Sequence, residues 1–153
     1  EPQIFQQLAK LFSKTALEVC EGQQYDVDFE TRDDVTIPEY LKMIEYKTAV
    51  LVGAAMKMGA IVAETSNENA NLIYDFGLNL GIAYQIQDDI LDIKDKHKIV
   101  TALSIDGQDV ISHLSSMSQN YAELAKNELS ILEDSKYKDL LVELTEFTII
   151  RPY

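Results

Sequence analysis

The chain has 153 residues, of which 46% are hydrophobic, and it carries a formal net charge of −13 at pH 7. This length is enough for one domain, residues 1–153, with a sizeable core, and the composition is typical of a soluble globular protein. The acidity argues against nucleic acid or an anionic membrane surface as the main partner. It suits a protein that concentrates divalent cations.

The cysteine content and the start of the chain bear on the cellular compartment. The single cysteine, Cys20, excludes an internal disulfide framework and indicates a reducing compartment. Glu1 opens a polar segment that lacks the basic and apolar parts of a signal peptide, and no apolar run reaches the length of a membrane span. We therefore expect a cytoplasmic protein without stable membrane insertion. Because the sequence does not begin with Met, we also expect it to start inside a longer chain.

Helical periodicity dominates the sequence, because Gly and Pro are scarce and strand-like alternation is hard to find. A first helix is predicted over residues 4–25, with an end near residues 24–28 and a polar loop over residues 30–35. Its apolar residues repeat at helical spacing, which predicts a helix that faces the core. They include Phe5, Leu8, Leu11, Phe12, Ala16 and Val19.

A second helical segment is predicted to begin after Thr36, the expected N-cap, with Pro38 in the first turn and Glu39 completing a capping box. This segment continues through Lys47 to about Ala63. Small residues crowd its second half and would let another helix approach closely, so we interpret them as packing residues. They are Ala49, Gly53, Ala54, Ala55, Gly59 and Ala60.

One lysine of this segment differs from an ordinary surface lysine. Tyr40 and Ile44 continue the apolar face, and Lys47 lies in an otherwise apolar run between Tyr46 and Thr48. Burial of a lysine there without an anionic partner would be costly. The pattern therefore indicates that Lys47 meets a negatively charged group.

A third helix is predicted to follow the polar stretch over residues 64–69, with Ser66 or Asn67 as its cap. Its main part, residues 74–95, reads YDFGLNLGIAYQIQDDILDIKD and is apolar around nearly the whole helix circumference. Such a helix is normally buried, and the rest of the chain is expected to pack around it.

Three carboxylates are predicted to converge on this helix. Asp88 and Asp92 are four residues apart and share a face, Asp89 lies beside them, and Gln85 lies one turn upstream on the same side. Burying ionised carboxylates without partners is costly, so the pattern requires a cation or a water-filled cavity. Mg²⁺ prefers one or two carboxylates completed by waters and phosphate oxygens. For the isolated motif, a solvated acidic face is an equally weighted alternative.

Two more helices are predicted over residues 109–132 and 136–150, and neither carries an evident catalytic constellation. The remaining candidate residues are isolated or fall in a loop, without a second ligand at metal-binding spacing. We interpret them as residues without a metal-binding or catalytic role: Asp33, Asp34, His97 and His113.

The stretch GLNLGIAYQIQDDILDI resembles the second aspartate-rich motif of the trans-isoprenyl diphosphate synthases, the family of farnesyl, geranylgeranyl and longer polyprenyl synthases. Upstream, EGQQYDVDFE resembles the GQxxD helix of this family, and YKTAVLVGAAMKMGA resembles its Lys-Thr helix. The three motifs occur in the order of the family. The resemblance implies an all-α fold, a helical bundle of the isoprenoid synthase type, of which this chain would be the C-terminal half.

The resemblance also implies the activity of the intact protein. An allylic diphosphate ionises, isopentenyl diphosphate adds to the allylic cation, and loss of a proton leaves a chain longer by one isoprene unit, with Mg²⁺ as cofactor. We expect a homodimer. By position, Lys47 and Thr48 would bind the diphosphate, and Gln85 would orient groups near it. The residues that would hold Mg²⁺ directly or through water are Asp88, Asp89 and Asp92, while Gln23 and Asp26 would have a supporting role.

The chain departs from the family in two ways. The first aspartate-rich motif, the arginines that follow it and the basic residues for isopentenyl diphosphate would lie upstream of Glu1, so this portion alone is expected to be inactive. After Asp92, residues 94–97 lack Gly, Pro or Asn to reverse the chain, where the family has a longer loop. We therefore hypothesise that a mobile loop is absent from the sequence. A non-catalytic synthase subunit and a terpene cyclase remain open as alternatives.

Overall fold

The computed structural model describes residues 1–92, 103 and 109–150. Within these residues the chain is all-α, which confirms the predicted fold class, and an isolated bridge pairs Val35 with Leu103. A π-helical turn, Glu45–Ala49, joins the second and third helices. The helices are α1 (Pro2–Phe29), α2 (Ile37–Ile44), α3 (Val50–Val62), α4 (Asn67–Asp92), α5 (Val110–Leu129) and α6 (Lys136–Ile150).

The start of α2 is fixed by the predicted capping box. The Thr36 side chain accepts a hydrogen bond from the Glu39 backbone N–H at 3.4 Å, and Glu39 Oε2 accepts one from the Thr36 backbone N–H at 2.9 Å. The Arg32 guanidinium donates to the Glu39 carboxylate at 2.8 Å, and this bond is the main reason that the pKa of Glu39 falls to about 2. Glu39 is therefore ionised at neutral pH, as the cap requires.

The predicted organising helix, α4, lies at the centre of the bundle and packs against both α3 and α5. Ile82, Ile86 and Ile90 of α4 are buried in one core cluster with side chains of α2 and with Leu114 of α5. A second cluster joins Phe76 of α4 to the far end of α5. The apolar circumference of α4 is thus used on several sides, which confirms its interpretation as a buried helix.

The small residues on α3 and α4 permit a close approach of the two helices. A Cβ atom on Gly77 would lie 2.9 Å from the Cα of Gly53, and one on Gly81 would lie 2.7 Å from the Cα of Ala49. Ala49, Gly53 and Ala54 are buried, which confirms their packing role. Ala55 and Gly59 are exposed, so the same interpretation is wrong for these two, because they face away from α4.

The apolar face of α1 is partly exposed, so the prediction of a core-facing helix is confirmed for only some of its residues. Phe5 is 73% exposed and Phe12 is 65% exposed, while the buried residues of this helix are Thr15, Gly22 and Phe29. The periodicity identified the apolar face correctly, but α3 and the π-helical turn cover only part of it: Leu8, Leu11 and Val19 are half-buried. The apolar side chains of α6 are exposed in the same way, among them Leu140, Phe147 and Ile150.

Among the described residues, no helix combines the length and the apolar character that crossing a membrane would require.

Candidate functional site

The π-helical turn Glu45–Ala49 places two neighbouring side chains against two different helices. Lys47 Nζ donates a hydrogen bond to Asp26 Oδ2 of α1 at 2.5 Å, and Thr48 Oγ1 donates one to Gln85 Oε1 of α4 at 2.7 Å. π-Helical turns are rare and are frequent at functional sites. The turn therefore brings the predicted diphosphate-binding pair into contact with both of the other motifs.

Gly22 explains how α1 comes close enough to hold Lys47. A Cβ atom at this position would overlap the backbone nitrogen of Lys47 and would lie 2.6 Å from the carbonyl carbon of Tyr46. Asp26 lies four residues after Gly22 on the same helix face, so the close backbone approach directs its carboxylate to Lys47. The glycine of the GQxxD motif thus allows α1 to pack closely against the backbone of the π-helical turn.

We expect Gly22→Ala to lower the free energy of unfolding by about 1–3 kcal/mol, the usual cost of overpacking a close contact. Urea denaturation of the two proteins measures this difference. Gly59→Ala is the matched control, because it is also helical but an added Cβ would meet nothing within 4 Å. That change should be neutral or stabilising by roughly 0.5–1 kcal/mol. Equal effects at the two glycines would contradict the close contact.

The three predicted metal ligands lie on the last described turns of α4, and all of them are partly buried. Asp89 Oδ2 accepts a hydrogen bond from the Tyr40 hydroxyl at 2.5 Å, and Asp89 Oδ1 accepts one from Gln85 Nε2 at 3.0 Å. Burial raises the pKa of Asp89 above its ordinary value, while the bonds from Tyr40 and Gln85 and the charge of Lys47 act in the opposite direction.

Four polar side chains thus form one chain of hydrogen bonds, from Thr48 through Gln85 and Asp89 to Tyr40. Tyr40 is fully buried, and its burial and the charge of Asp89 raise the pKa of its hydroxyl well above the ordinary value. The sequence pattern assigned Tyr40 only to the apolar face of α2. The signal that could have identified it is general: a buried tyrosine hydroxyl normally needs a hydrogen-bond partner.

The carboxylates do not form a preformed metal cage. Within the described part of the chain, no three His, Cys, Asp or Glu side chains lie close enough to hold one ion. The predicted convergence of all three aspartates is therefore not seen, because Asp89 is directed to Tyr40 and Gln85. These carboxylates still fit Mg²⁺. This ion is usually bound by one or two carboxylates, with waters and phosphate oxygens as its other ligands, and does not need a closed protein cage.

An apolar groove between α1 and α3 begins one helical turn after Lys47. Val19, Leu51, Ala55 and Met58 are among the side chains that line it, and its volume is about 450 Å³. Phe12 and Met58 also line a second apolar groove of about 680 Å³, so the two form one continuous surface. An apolar surface large enough for a hydrocarbon chain therefore begins at Leu51, four residues after Lys47.

The isolated acidic residues and histidines contribute nothing to this cluster within the described residues. Asp33 and Asp34 are exposed, as predicted, and Asp34 accepts a hydrogen bond from Arg32 at 2.8 Å. His113 lies on α5 and belongs to no metal-binding group of the described chain. His97 and the predicted shortened junction, residues 94–97, lie outside the described residues.

Comparison with known proteins gives a consistent set of relatives. The geranylfarnesyl diphosphate synthase of Natronomonas pharaonis is 52% identical over 79 residues, which are 52% of this chain and 23% of that protein. The geranylgeranyl diphosphate synthase of Methanosarcina mazei is 30% identical over 185 residues, with 94% of this chain and 57% of that protein covered. The structure of geranylgeranyl pyrophosphate synthetase from Geoglobus acetivorans superposes with a TM-score of 0.87 at 26% identity, covering 99% of this chain and 59% of that one.

The chain is shorter than its relatives in two respects. It spans 57% of the length of the Methanosarcina mazei protein. The alignment extends over 185 positions, but 94% of 153 residues is about 144, so about 41 aligned positions have no counterpart in this chain. The relative therefore has residues inside the aligned span that this chain lacks, which is compatible with the hypothesis of a missing loop.

The family match covers every residue of the cluster described above. The model of the family described as polyprenyl synthetase matches residues 3–136, a span that includes Gly22 and Asp26 of α1, the Lys47-Thr48 pair and the acidic end of α4. All three stretches that resemble the family's motifs therefore lie within the matched span. The chain belongs to the polyprenyl synthetase family.

Proposed function

We propose that the full-length protein is a Mg²⁺-dependent prenyl diphosphate synthase that extends an allylic diphosphate with isopentenyl diphosphate. The observation that carries the proposal is the polar cluster in which Lys47 and Thr48 bond to Asp26 and Gln85, with an apolar groove further along the same two segments of chain. A diphosphate head and a hydrocarbon tail need these two surfaces side by side. The reaction breaks the allylic carbon–oxygen bond, forms a carbon–carbon bond to isopentenyl diphosphate and releases a proton.

Lys47 and Thr48 would bind the allylic diphosphate. The lysine ammonium has three N–H donors, of which one is directed to Asp26 at 2.5 Å, so two remain for phosphate oxygens. As the carbon–oxygen bond breaks, the electron pair leaves with the diphosphate and its negative charge grows. A lysine held at that oxygen stabilises the departing group most in the transition state.

Asp88, Asp89 and Asp92 would hold Mg²⁺ together with the diphosphate. Bound Mg²⁺ supplies positive charge that neutralises the diphosphate as it departs. Because the aspartates form no closed cage in the described chain, the phosphate oxygens and waters would complete the coordination. Gln85 would orient the diphosphate side of the site, since its amide contacts both Thr48 and Asp89.

The apolar groove between α1 and α3 would hold the isoprenoid tail and exclude water from the allylic cation, which water would otherwise trap. Phe12 and Met58 extend this surface away from the polar cluster. We propose in addition that the synthase acts in the cytoplasm as a homodimer. The single cysteine supports a reducing compartment, and the exposed apolar side chains of α6 support burial against further protein.

The test is an assay of the full-length protein with farnesyl diphosphate and isopentenyl diphosphate, with Mg²⁺ or with EDTA. We expect a diphosphate product longer by five carbons, formed with Mg²⁺ and not with EDTA, and detected by mass spectrometry. A hydrocarbon formed from farnesyl diphosphate alone would favour a terpene cyclase. No product from either mixture would favour a non-catalytic subunit, and both of these outcomes would overturn the proposal.

A further inference from the structure

Asp89 differs from its acidic neighbours in its contacts. Each of its two carboxylate oxygens accepts a hydrogen bond. Oδ2 accepts from Tyr40 of α2 at 2.5 Å, and Oδ1 accepts from Gln85, one turn earlier on α4, at 3.0 Å. One lone pair on each oxygen is therefore already used by the protein. The two hydrogen bonds fix the direction of the carboxylate, and the remaining lone pairs stay available to a metal ion.

Tyr40 is the fixed end of this arrangement. Its side chain is fully buried in the core cluster with Met43 and Ile86, and this packing holds its hydroxyl against Asp89. Asp89 is in turn four residues from Gln85 on α4, and Gln85 accepts the hydrogen bond of Thr48. The position of Thr48 therefore depends, through Gln85 and Asp89, on the buried phenol of Tyr40 on α2.

We propose that Tyr40 is a positioning residue, whose buried hydroxyl fixes Asp89 and, through Asp89, orients the Gln85 amide, which has a second N–H for the diphosphate. This inference rests on the proposed function only in that the ligand is a diphosphate. It gives Asp89 a second role besides its proposed part in holding Mg²⁺, because the same carboxylate also connects Gln85 to the phenol of α2. Groups that orient ligating residues commonly change metal or ligand affinity by 10–100-fold when they are lost.

The experiment is a double-mutant cycle on the full-length protein with Tyr40→Phe, Asp89→Asn and the combined variant. The measured quantity is the affinity for a non-ionisable farnesyl diphosphate analogue in the presence of Mg²⁺, by isothermal titration calorimetry. We expect Tyr40→Phe to weaken binding about 10-fold. Because Tyr40 acts through Asp89, the combined variant should bind no more weakly than Asp89→Asn alone.

Tyr121→Phe is the control, because Tyr121 packs against the same core cluster but lies on α5, outside the hydrogen-bond chain. It should bind the analogue as the unmodified protein does. Thermal unfolding of each variant separates a loss of folding from a loss of positioning, and Asp89→Asn provides the same readout if Tyr40→Phe does not fold. Additive losses in the cycle, or unchanged binding by Tyr40→Phe, would overturn the inference. Neither outcome would affect the proposed reaction, which the product assay of the unmodified protein tests separately.

Discussion

Replacing both Asp88 and Asp89 with Asn in the full-length protein is expected to weaken the Mg²⁺-supported binding of a non-ionisable allylic diphosphate analogue by about 100-fold. A hydrogen bond or contact to a charged group contributes roughly 1.5–3 kcal/mol, and an amide cannot replace the negative charge that attracts Mg²⁺. Titration calorimetry with the analogue and a fixed Mg²⁺ concentration measures the change. Without diphosphate, Mg²⁺ binding should be weak in both proteins, because no closed cage exists in the described chain.

Asp75→Asn is the matched control for this pair. Asp75 lies on the same helix but is exposed and is thirteen residues before Asp88, so it cannot share a ligand with the acidic end of α4. Its variant should bind the analogue with unchanged affinity. Equal affinity in the Asp88/Asp89 variant and the unmodified protein would show that these carboxylates form an ordinary acidic surface, and would reject the metal assignment.

The parts of the fold that the sequence predicts are those specified by local chemistry. The capping box of Thr36 and Glu39 needs only residues three apart, and it is present with both of its hydrogen bonds. The central place of α4 follows from an apolar circumference that a solvated helix would not tolerate. The small residues around Gly53 similarly predicted a close helix contact, although not that Gly77 of α4 would make it.

The parts that the sequence does not predict depend on what lies across from each residue. The sequence predicts a continuous helix from residue 36 to residue 63, but the structure has a π-helical turn at Glu45–Ala49. In this turn Lys47 bonds to α1 and the next residue, Thr48, bonds to α4. The periodicity of α1 shows which face is apolar, yet it cannot show whether a covering element is present. The exposure of Phe5 and Phe12 is the result.

The Asp26–Lys47 ion pair would hold the lysine in place at the proposed diphosphate site. The two side chains are 14% and 32% exposed, so their attraction is stronger than that of a fully solvated pair. A bound diphosphate carries more charge than one carboxylate and would engage the remaining N–H donors of Lys47. Asp26 then limits the motion of the lysine, which lowers the entropy cost of binding.

Lys47→Met in the full-length synthase is accordingly expected to lower kcat/KM by about 100–1000-fold, the usual effect of removing one donor that stabilises developing charge. Methionine replaces the aliphatic stem of lysine and lacks only its ammonium, so folding should survive, although Asp26 loses its partner. Circular dichroism on heating checks this. Lys57→Met is the control, because Lys57 lies ten residues further along α3, where it bonds to Asn71 Oδ1 at 2.6 Å. Its variant should stay within about twofold of the unmodified enzyme, since exposed contacts of this kind contribute little. Similar kinetic losses in the two variants would show that Lys47 is an ordinary surface lysine and would remove it from the proposed diphosphate site.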